Sequence, residues 1–365
     1  MKKKSMAIVI VSIIITFCIW GYLYYIKTAS FSNEEYKQAI TKIDNKKNNM
    51  YVVLDVPMEN KNMIWCGTFQ MAWNELRDNM IKEDIILEGD NILVKELNKK
   101  NFTKNDIDEN SYIAMVGYNK DGIVEKVNKA LKDKFNEGGK WQVETVLNNP
   151  NDILAYAFLK KNVEFEYAFE NLKDGVEFSD EKVQAFGIGD KTVRENKEAL
   201  LNQIRILYYG GDDDFIISLK GKNPEDELIL SKIPPQDTLN NTLKYALDHR
   251  KNDGEVYQVA SLKIPKLNFD FKKNFTELED KKVLNKGFED YKISSAIQRT
   301  QFDLTEKGAE LKSKGEISMK KSSLPISKPK NLIFDKPFLL YMKEKDKNRP
   351  YFVTWINNTD IMKKQ

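Results

Sequence analysis

The sequence predicts an α+β fold, and three observations lead there. Strand patterns crowd the second half of the chain, from Ile153 to Phe271 and again from Leu332 to Asn357, whereas helical spacing of apolar residues falls mostly before Phe135. The composition, 41% hydrophobic and 11% aromatic over 365 residues, can bury one large core or two smaller ones. Charge is nearly balanced, Lys+Arg 58 against Asp+Glu 55, and Lys2, Lys3 and Lys4 alone could supply the net +3, so no nucleic-acid footprint follows.

Met6 to Ile26 is mainly apolar. At about 1.5 Å per residue such a run crosses a hydrocarbon core of about 30 Å. Lys2 to Lys4 precede it, and Trp20, Tyr22, Tyr24 and Tyr25 sit at its far end, which places the N-terminus in the cytoplasm and the rest of the chain outside. Residues 1–27 are therefore expected to anchor the chain in a membrane. The alternative is a cleaved secretory signal, which would leave the protein secreted; the run is longer than a usual signal core and no small-x-small site precedes Lys27. A lipoprotein site at Cys18 fits less well still, because Phe17 stands where a small residue is needed.

With Cys18 in the span, Cys66 is the only cysteine of the exported part, and no intrachain disulfide can form there. Its apolar surroundings, Ile64-Trp-Cys-Gly-Thr-Phe-Gln-Met-Ala-Trp73, predict a buried structural thiol. Residues 28–50 are polar and lysine-rich, expected as a stalk and first helical segment, and 51–365 as a single domain. Tyr51 to Val56 predicts a short strand. Met63 to Met80 places Ile64, Phe69, Ala72, Leu76 and Met80 at helical spacing, and Ile123 to Phe135 turns Val124, Val127, Leu131 and Phe135 inward as an amphipathic helix. Between them lie short apolar runs such as Ser111 to Val116.

Further on, strands are predicted at Ile153 to Leu159, Val163 to Phe169, Lys182 to Ile188, Ile204 to Tyr209 and Phe215 to Leu219. Gly210-Gly211-Asp212-Asp213-Asp214 reads as a hairpin turn, since the ligand spacing of a calcium loop is missing. Thr238 to Arg250 is a helix, Val256 to Phe271 a long strand that tolerates Pro265, and Leu332 to Met342 a further strand pattern.

From Ala309 the chain alternates: Ala309, Leu311, Ser313, Gly315, Ile317 and Met319 share one parity, and Glu310, Lys312, Lys314, Glu316, Ser318 and Lys320 the other. This is the two-residue period of a half-buried strand. Here the residues resemble a family. Glu306-Lys307-Gly308, a variable stretch, then Asp335-Lys336-Pro337-Phe338-Leu339 and Phe352-Val353-Thr354-Trp355-Ile356-Asn357 are similar to the C-terminal third of the serpins, whose hinge, reactive-centre loop and last two core strands come in that order. Upstream, Val256 to Asp270 resembles the family strand leading into Pro-Lys-Phe, Ile204 to Leu219 its tyrosine-containing hairpin, and Asp152 to Gly187 its strand with Ala-x-x-Phe-x-Lys and the Ala168-Phe169 that follows. About the last 215 residues are covered. The loop is longer than usual, the family Ser-Pro motif is missing near Cys66, the N-terminal half is shortened, and Val163 or Phe165 replaces the tryptophan expected before Ala168.

The resemblance implies a large mixed sheet with smaller sheets and surrounding helices, and a reactive loop at about 306–327. It implies a protease inhibitor: the hinge would be Glu306, Lys307, Gly308 and Ala309, and Leu311, Ser313, Gly315, Ile317 and Met319 the face that inserts into the sheet after cleavage. The family hinge-to-scissile length lands near Ser322, so the bait bond is expected at Lys321-Ser322, suiting a trypsin-like protease, or at Ser322-Ser323, suiting an elastase-like one. The partner would be a serine or cysteine protease, with no cofactor and no metal. Family inhibitors carry small residues just after the hinge glycine, where this chain has Glu310-Leu311-Lys312-Ser313-Lys314, so a non-inhibitory binding or structural module at the cell surface is the alternative. An exported hydrolase would need a constellation that the sequence does not offer. His249 is the only histidine and ends a polar helix, and there is no Walker loop, no Cys/His cluster and no dinucleotide fingerprint.

Overall fold

Which faces of the strands are covered decides this architecture. The computed structural model describes residues 47–89, 91–189, 192, 194–250, 259–309 and 330–365. Seven strands form the largest sheet, in the order β1 (Asn48–Tyr51), β2 (Asn62–Cys66), β17 (Phe352–Ile356), β16 (Phe338–Glu344), β10 (Asp226–Lys232), β9 (Asp214–Lys220) and β8 (Ile204–Gly211). Every residue of β2, β16 and β17 is buried, so this sheet is covered on both faces and its strands read as apolar runs without a period. A second sheet orders β15 (Lys330–Ile333), β11 (Val259–Pro265), β7 (Glu181–Ile188) and β6 (Glu170–Phe178). Three separate ladders remain: β3 (Tyr112–Tyr118) with β4 (Ile153–Leu159), β12 (Leu267–Asn274) with β13 (Ile297–Leu304), and β14 (Gly308–Ala309) with β5 (Val163–Glu164). The expected mixed α+β architecture is present.

Helix α1 (Thr68–Glu75), continued by a π turn at Leu76–Ile81, packs against β3, β4 and β13 and so underlies the two longer ladders together. Helix α2 (Ile92–Asn98) starts where the Asn91 side chain accepts from Leu93 N at 2.9 Å. Helix α3 (Ile123–Phe135) lies on the opposite, outer face of β3 and β4. Its Ile123, Val127 and Leu131 bury with Ile113, Leu154 and Phe158 as a small core of their own, while Val124 and Phe135 pack at its margin. Helices α4 (Arg194–Leu201) and α5 (Leu239–His249) complete the set, α5 capped by Thr238 Oγ1, which accepts from Asn241 N at 3.0 Å.

Several boundaries differ from the sequence reading, each for a physical reason. Of the strand expected at Tyr51 to Val56 only Tyr51 is strand: β1 runs through Asn48–Tyr51, inside the expected stalk, with Asn48 and Met50 fully buried, and Val52 to Val56 is not paired as strand. Met63 to Met80 is not one helix: Met63 to Cys66 extend as part of β2, and α1 starts at Thr68. Of Val163 to Phe169 only the first two residues pair as a strand, because the chain then bends to bury Phe165 and Phe169 against Phe186. Val256 to Phe271 divides at Lys266, with β11 and β12 in different sheets, and Leu332 to Met342 divides at the Asp335-Lys336-Pro337 turn between β15 and β16. The proposed span at Met6 to Ile26 and most of 28–50 lie outside the described residues, among which no helix is long and apolar enough to cross a membrane.

Leu131 is fully buried in the small core and should collapse poorly when truncated, so Leu131→Ala is expected to cost about 2–5 kcal/mol in denaturant unfolding. Val124→Ala, at the margin, should cost clearly less, and equal losses would contradict the inward face assigned to α3.

Candidate functional site

At the end of β13 the chain reverses within four residues. Thr305 N donates to Gly308 O and Gly308 N to Thr305 O, both at 3.1 Å, so Glu306 and Lys307 form a two-residue hairpin turn. The returning residues, Gly308 and Ala309, are β14, antiparallel to Glu164 and Val163 of β5. Phe165 N donates to Lys307 O at 3.0 Å and Phe169 N to Glu306 O at 2.8 Å. Gly308 therefore stands between the end of β13 on one side and β5 on the other. Its φ is +112°, and a Cβ added there would lie 2.1 Å from Val163 O, so both backbone conformation and space require glycine.

Ionic and aromatic contacts fix the turn. Lys266, whose side chain is 8% exposed, places Nζ 2.5 Å from Glu306 Oε2. Burial alone would raise the Glu306 carboxyl, but the hydrogen bond and charge of Lys266 outweigh it and hold the group below its usual range. Beneath, Phe165 meets Phe169 edge-on at 5.1 Å and Phe186 at 6.2 Å, filling the place where the family resemblance implied a tryptophan. Lys161, just before β5, sits with Nζ 3.0 Å from Asp226 Oδ1 and 2.5 Å from Glu344 Oε1, which ties this edge to β10 and β16. Burial raises the Asp226 carboxyl despite the Lys161 ammonium beside it.

Below the turn lies an opening. β4 is paired on one edge with β3, and β13 on one edge with β12, and among the described residues no ladder joins β4 to β13. Among the described residues their continuations meet at the hinge. Side chains alternate regularly along both borders. Gln298, Thr300, Phe302 and Leu304 of β13 are buried, and Ala157, Leu159, Lys161 and Val163 turn toward the same large core, whereas Phe158 joins the small core under α3. Gln298 Nε2 donates to Cys66 O and Thr300 Oγ1, both at 3.3 Å, while its buried Oε1 meets no partner among the described residues. Among the described residues the facing edges of β4 and β13, the two sides of a slot, are thus left without a ladder partner.

Of the residues singled out in the sequence, Glu306, Lys307, Gly308 and Ala309 are brought together at this slot. Leu311, Ser313, Gly315, Ile317 and Met319 and the bond candidates Lys321, Ser322 and Ser323 lie outside the described residues. Sequence reasoning missed Lys266 as the partner of Glu306, and Lys161 as a buried cation. Pro265-Lys266 was visible as a motif, but a pairing across 40 residues has no local signal. The Asp212 to Asp214 turn is a hairpin as expected, its carboxylates engaged by Tyr209, by Lys232 and Lys336, and by Tyr208 respectively. Cys66 is buried, and burial raises its thiol. His249 ends α5, its Nδ1 2.9 Å from Tyr245 O and its ring stacked on Tyr245. Among the described residues no group of three or more His, Cys, Asp or Glu side chains could hold a metal ion.

Comparison with known proteins adds a family match. The family model described as Serpin (serine protease inhibitor) matches residues 250–359. No curated protein matches. Among solved structures, the chain is similar to Serpin48, a highly specific serpin of the insect Tenebrio molitor, at 13% identity over 81% of this chain and 92% of that one, TM-score 0.49. It is similar also to the thermophilic serpin Tengpin in its native state, at 13% identity over 86% and 97%, TM-score 0.49. A third similarity is to thyroxine-binding globulin complexed with thyroxine, at 12% identity over 82% and 94%, TM-score 0.44.

Two substitutions test the hinge geometry. Gly308→Ala should force the turn out of the slot and lower stability by about 1–3 kcal/mol, with β14 and β5 losing amide protection together. For Glu306 the sign follows from its lowered pKa: the stabilisation is full at neutral pH and is lost as the pH falls through the folded-state value. The stability gap between wild type and Glu306→Gln should therefore close in acid. A gap unchanged down to about pH 3 would contradict the ion pair.

Proposed function

We propose that this chain, whose residues 250–359 match the serpin family model, is a membrane-anchored, extracytoplasmic protease inhibitor that acts by loop cleavage and strand insertion. The observation that carries the reading is the hinge: the chain leaves β13, turns at Glu306 and Lys307, and already heads back between β13 and β5, above two strands whose facing edges are not joined to one another.

The register set at the hinge supports the assignment of the inserting face. With Gly308 opposite Thr305 and Glu164, and Ala309 opposite Val163, continuation down the slot would bring Gly315 between Gln298 and Ala157. Ser313 would fall between Thr300 and Leu159, and Leu311 between Phe302 and Lys161. These are the core-facing positions of both borders. Leu311, Ile317 and Met319 would then be buried, each contributing about 1.5–3 kcal/mol, with about 1 kcal/mol net for each ladder hydrogen bond. Glu310, Lys312 and Lys314 would face outward. A protease that cuts the loop and remains acylated to its N-terminal part would be carried along as the strand enters, and trapped if entry outruns deacylation. Leu311 and Lys312, larger than the residues inhibitors carry just after the hinge, make that entry slow.

The target in this reading is a serine or cysteine protease that accepts lysine, cutting at Lys321-Ser322, with Ser322-Ser323 the elastase-like alternative. The anchor is Met6 to Ile26, which would hold the inhibitor at the outer membrane surface, or release it if the segment is cleaved. The chain is not proposed to be an enzyme. Incubating the full chain with a trypsin-like protease tests the reading: cleavage at Lys321-Ser322, a cleaved form of markedly higher Tm, and an SDS-resistant complex are expected. Cleavage with a gain in Tm but no complex would make the chain a substrate that inserts without trapping. Cleavage elsewhere with no gain would sink the insertion mechanism.

A further inference from the structure

Where β10 ends, β16 begins and β17 ends, the seven-stranded sheet leaves a cavity of about 370 Å³. Trp355, Lys232 and Ile233, each no more than 3% exposed, form its floor, and Met58, Pro234, Pro235 and Pro337 its walls. Three of the four wall residues are prolines, which carry no amide N–H, and Met58 N is taken by Asp237 O at 3.0 Å. The walls present carbon. Most polar groups around them are already engaged. Lys232 Nζ lies 2.6 Å from both Asp213 Oδ1 and Asp335 Oδ1, and donates to Asp212 O at 3.1 Å and Ile333 O at 3.0 Å. Glu59 accepts from Tyr51 Oη on one oxygen and meets Lys61 on the other, at 2.9 Å. Two donors are left over. The Trp355 indole N–H has no acceptor among the described residues, although a buried indole ordinarily finds one. Lys336, 59% exposed, pairs with Asp213 at 2.6 Å, and Asp213 keeps Lys232 when Lys336 turns away.

We propose that this cavity binds a small carboxylate with an apolar body, an aryl- or alkyl-substituted acid whose carboxylate takes Lys336 and the Trp355 N–H while its body lies against Pro234, Pro235 and Pro337. The sign of the ligand follows from which groups can let go. A cation would have to displace Lys232 or Lys61 from the carboxylates they neutralise, and Lys232 is a sheltered ammonium with four acceptors around it. An anion needs only the release of Lys336 from an exposed pair, which is weakly held. Asp213 stays ionised after that release, since the hydrogen bond from Lys232 is the first cause that holds its carboxyl below the usual range, with Lys336 second. A neutral ligand meets the indole N–H alone and forgoes the charge-assisted bond. Asn60 and Asn357, also on the lining, carry amides that serve either sign. A volume of about 370 Å³ lies within the range of small-ligand sites, which are apolar with a few placed polar groups. The same chemistry is offered by a free organic acid and by the C-terminal residue of a peptide that ends in an apolar side chain. None of the lining residues belongs to β4, β13 or the hinge, so the site stands apart from strand insertion.

Calorimetric titration of the full chain in detergent tests the site, with hydrocinnamate, its amide, and the tripeptide Gly-Gly-Phe with a free or an amidated C-terminus as probes. Saturable binding of hydrocinnamate with a Kd below about 1 mM is expected, and binding of the amide about tenfold weaker. Lys336→Met changes an exposed side chain and leaves Asp213 with Lys232, so the fold is kept; it should weaken hydrocinnamate about tenfold and leave the amide unchanged. Trp355→Phe keeps an aromatic floor but removes the N–H, and should weaken acid and amide alike. Lys292→Met, which breaks an exposed pair with Asp280 elsewhere, should leave every Kd unchanged and controls for uptake by the detergent. Tighter binding of the free-ended tripeptide than of hydrocinnamate assigns the ligand to a chain end, and the reverse order assigns it to a free acid. No saturation by any probe up to about 10 mM overturns the site. So does equal binding of acid and amide, or equal binding of the acid by wild type and Lys336→Met.

Discussion

Two strands that flank one another without pairing set the terms for this protein. The facing edges of β4 and β13 carry backbone groups that their neighbours β3 and β12 do not use, while α1 packs beneath both strands. Edges that no ladder joins among the described residues are a source of free energy, since each ladder bond adds about 1 kcal/mol net once a partner arrives. The hinge fills the end of the slot with a glycine that no other residue can replace without strain, and Lys266 and Glu306 pin the turn that delivers it.

The remainder of the structure divides into parts that hold and parts that can give. The seven-stranded sheet, buried on both faces through β2, β16 and β17, is the rigid element. The β4 border is tied to it by Lys161 between Asp226 and Glu344, an arrangement in which removing the cation would leave two sheltered carboxylates facing each other. The β3 and β4 ladder has a small core with α3 on one face, while Tyr112, Ala114, Ala157 and Leu159 on the other pack against the large core.

How much of this the sequence showed depended on whether one face or both were covered. Ile123 to Phe135 was legible because one face is buried and the other wet, and the alternation in β13 has the same origin. Met63 to Cys66 was misread as helix because the five buried residues of β2 in a row carry no period at all. Val256 to Phe271 and Leu332 to Met342 each read as one strand because a change of sheet leaves the run apolar; only Lys266 and the Asp335-Lys336-Pro337 turn mark the breaks. The hinge residues Glu306 to Ala309 were found through a family resemblance. Their partners Lys266, Glu164 and Val163 were not, since tertiary pairing over such separations leaves no local pattern. The pairs of Lys140 with Asp270 and of Glu144 with Lys272 were invisible for the same reason: in the sequence these residues look like any solvated charges.

The central claim is that the slot between β4 and β13 is a vacancy of defined register for the segment that follows Ala309. A crystal structure of the loop-cleaved chain tests it most directly. The account predicts a new strand antiparallel to both borders, with Gly315 between Gln298 and Ala157 and with Leu311, Ser313 and Ile317 on the core side. A cleaved chain in which β4 and β13 pair directly with one another, or in which residues 310–320 lie outside the sheet, would contradict it.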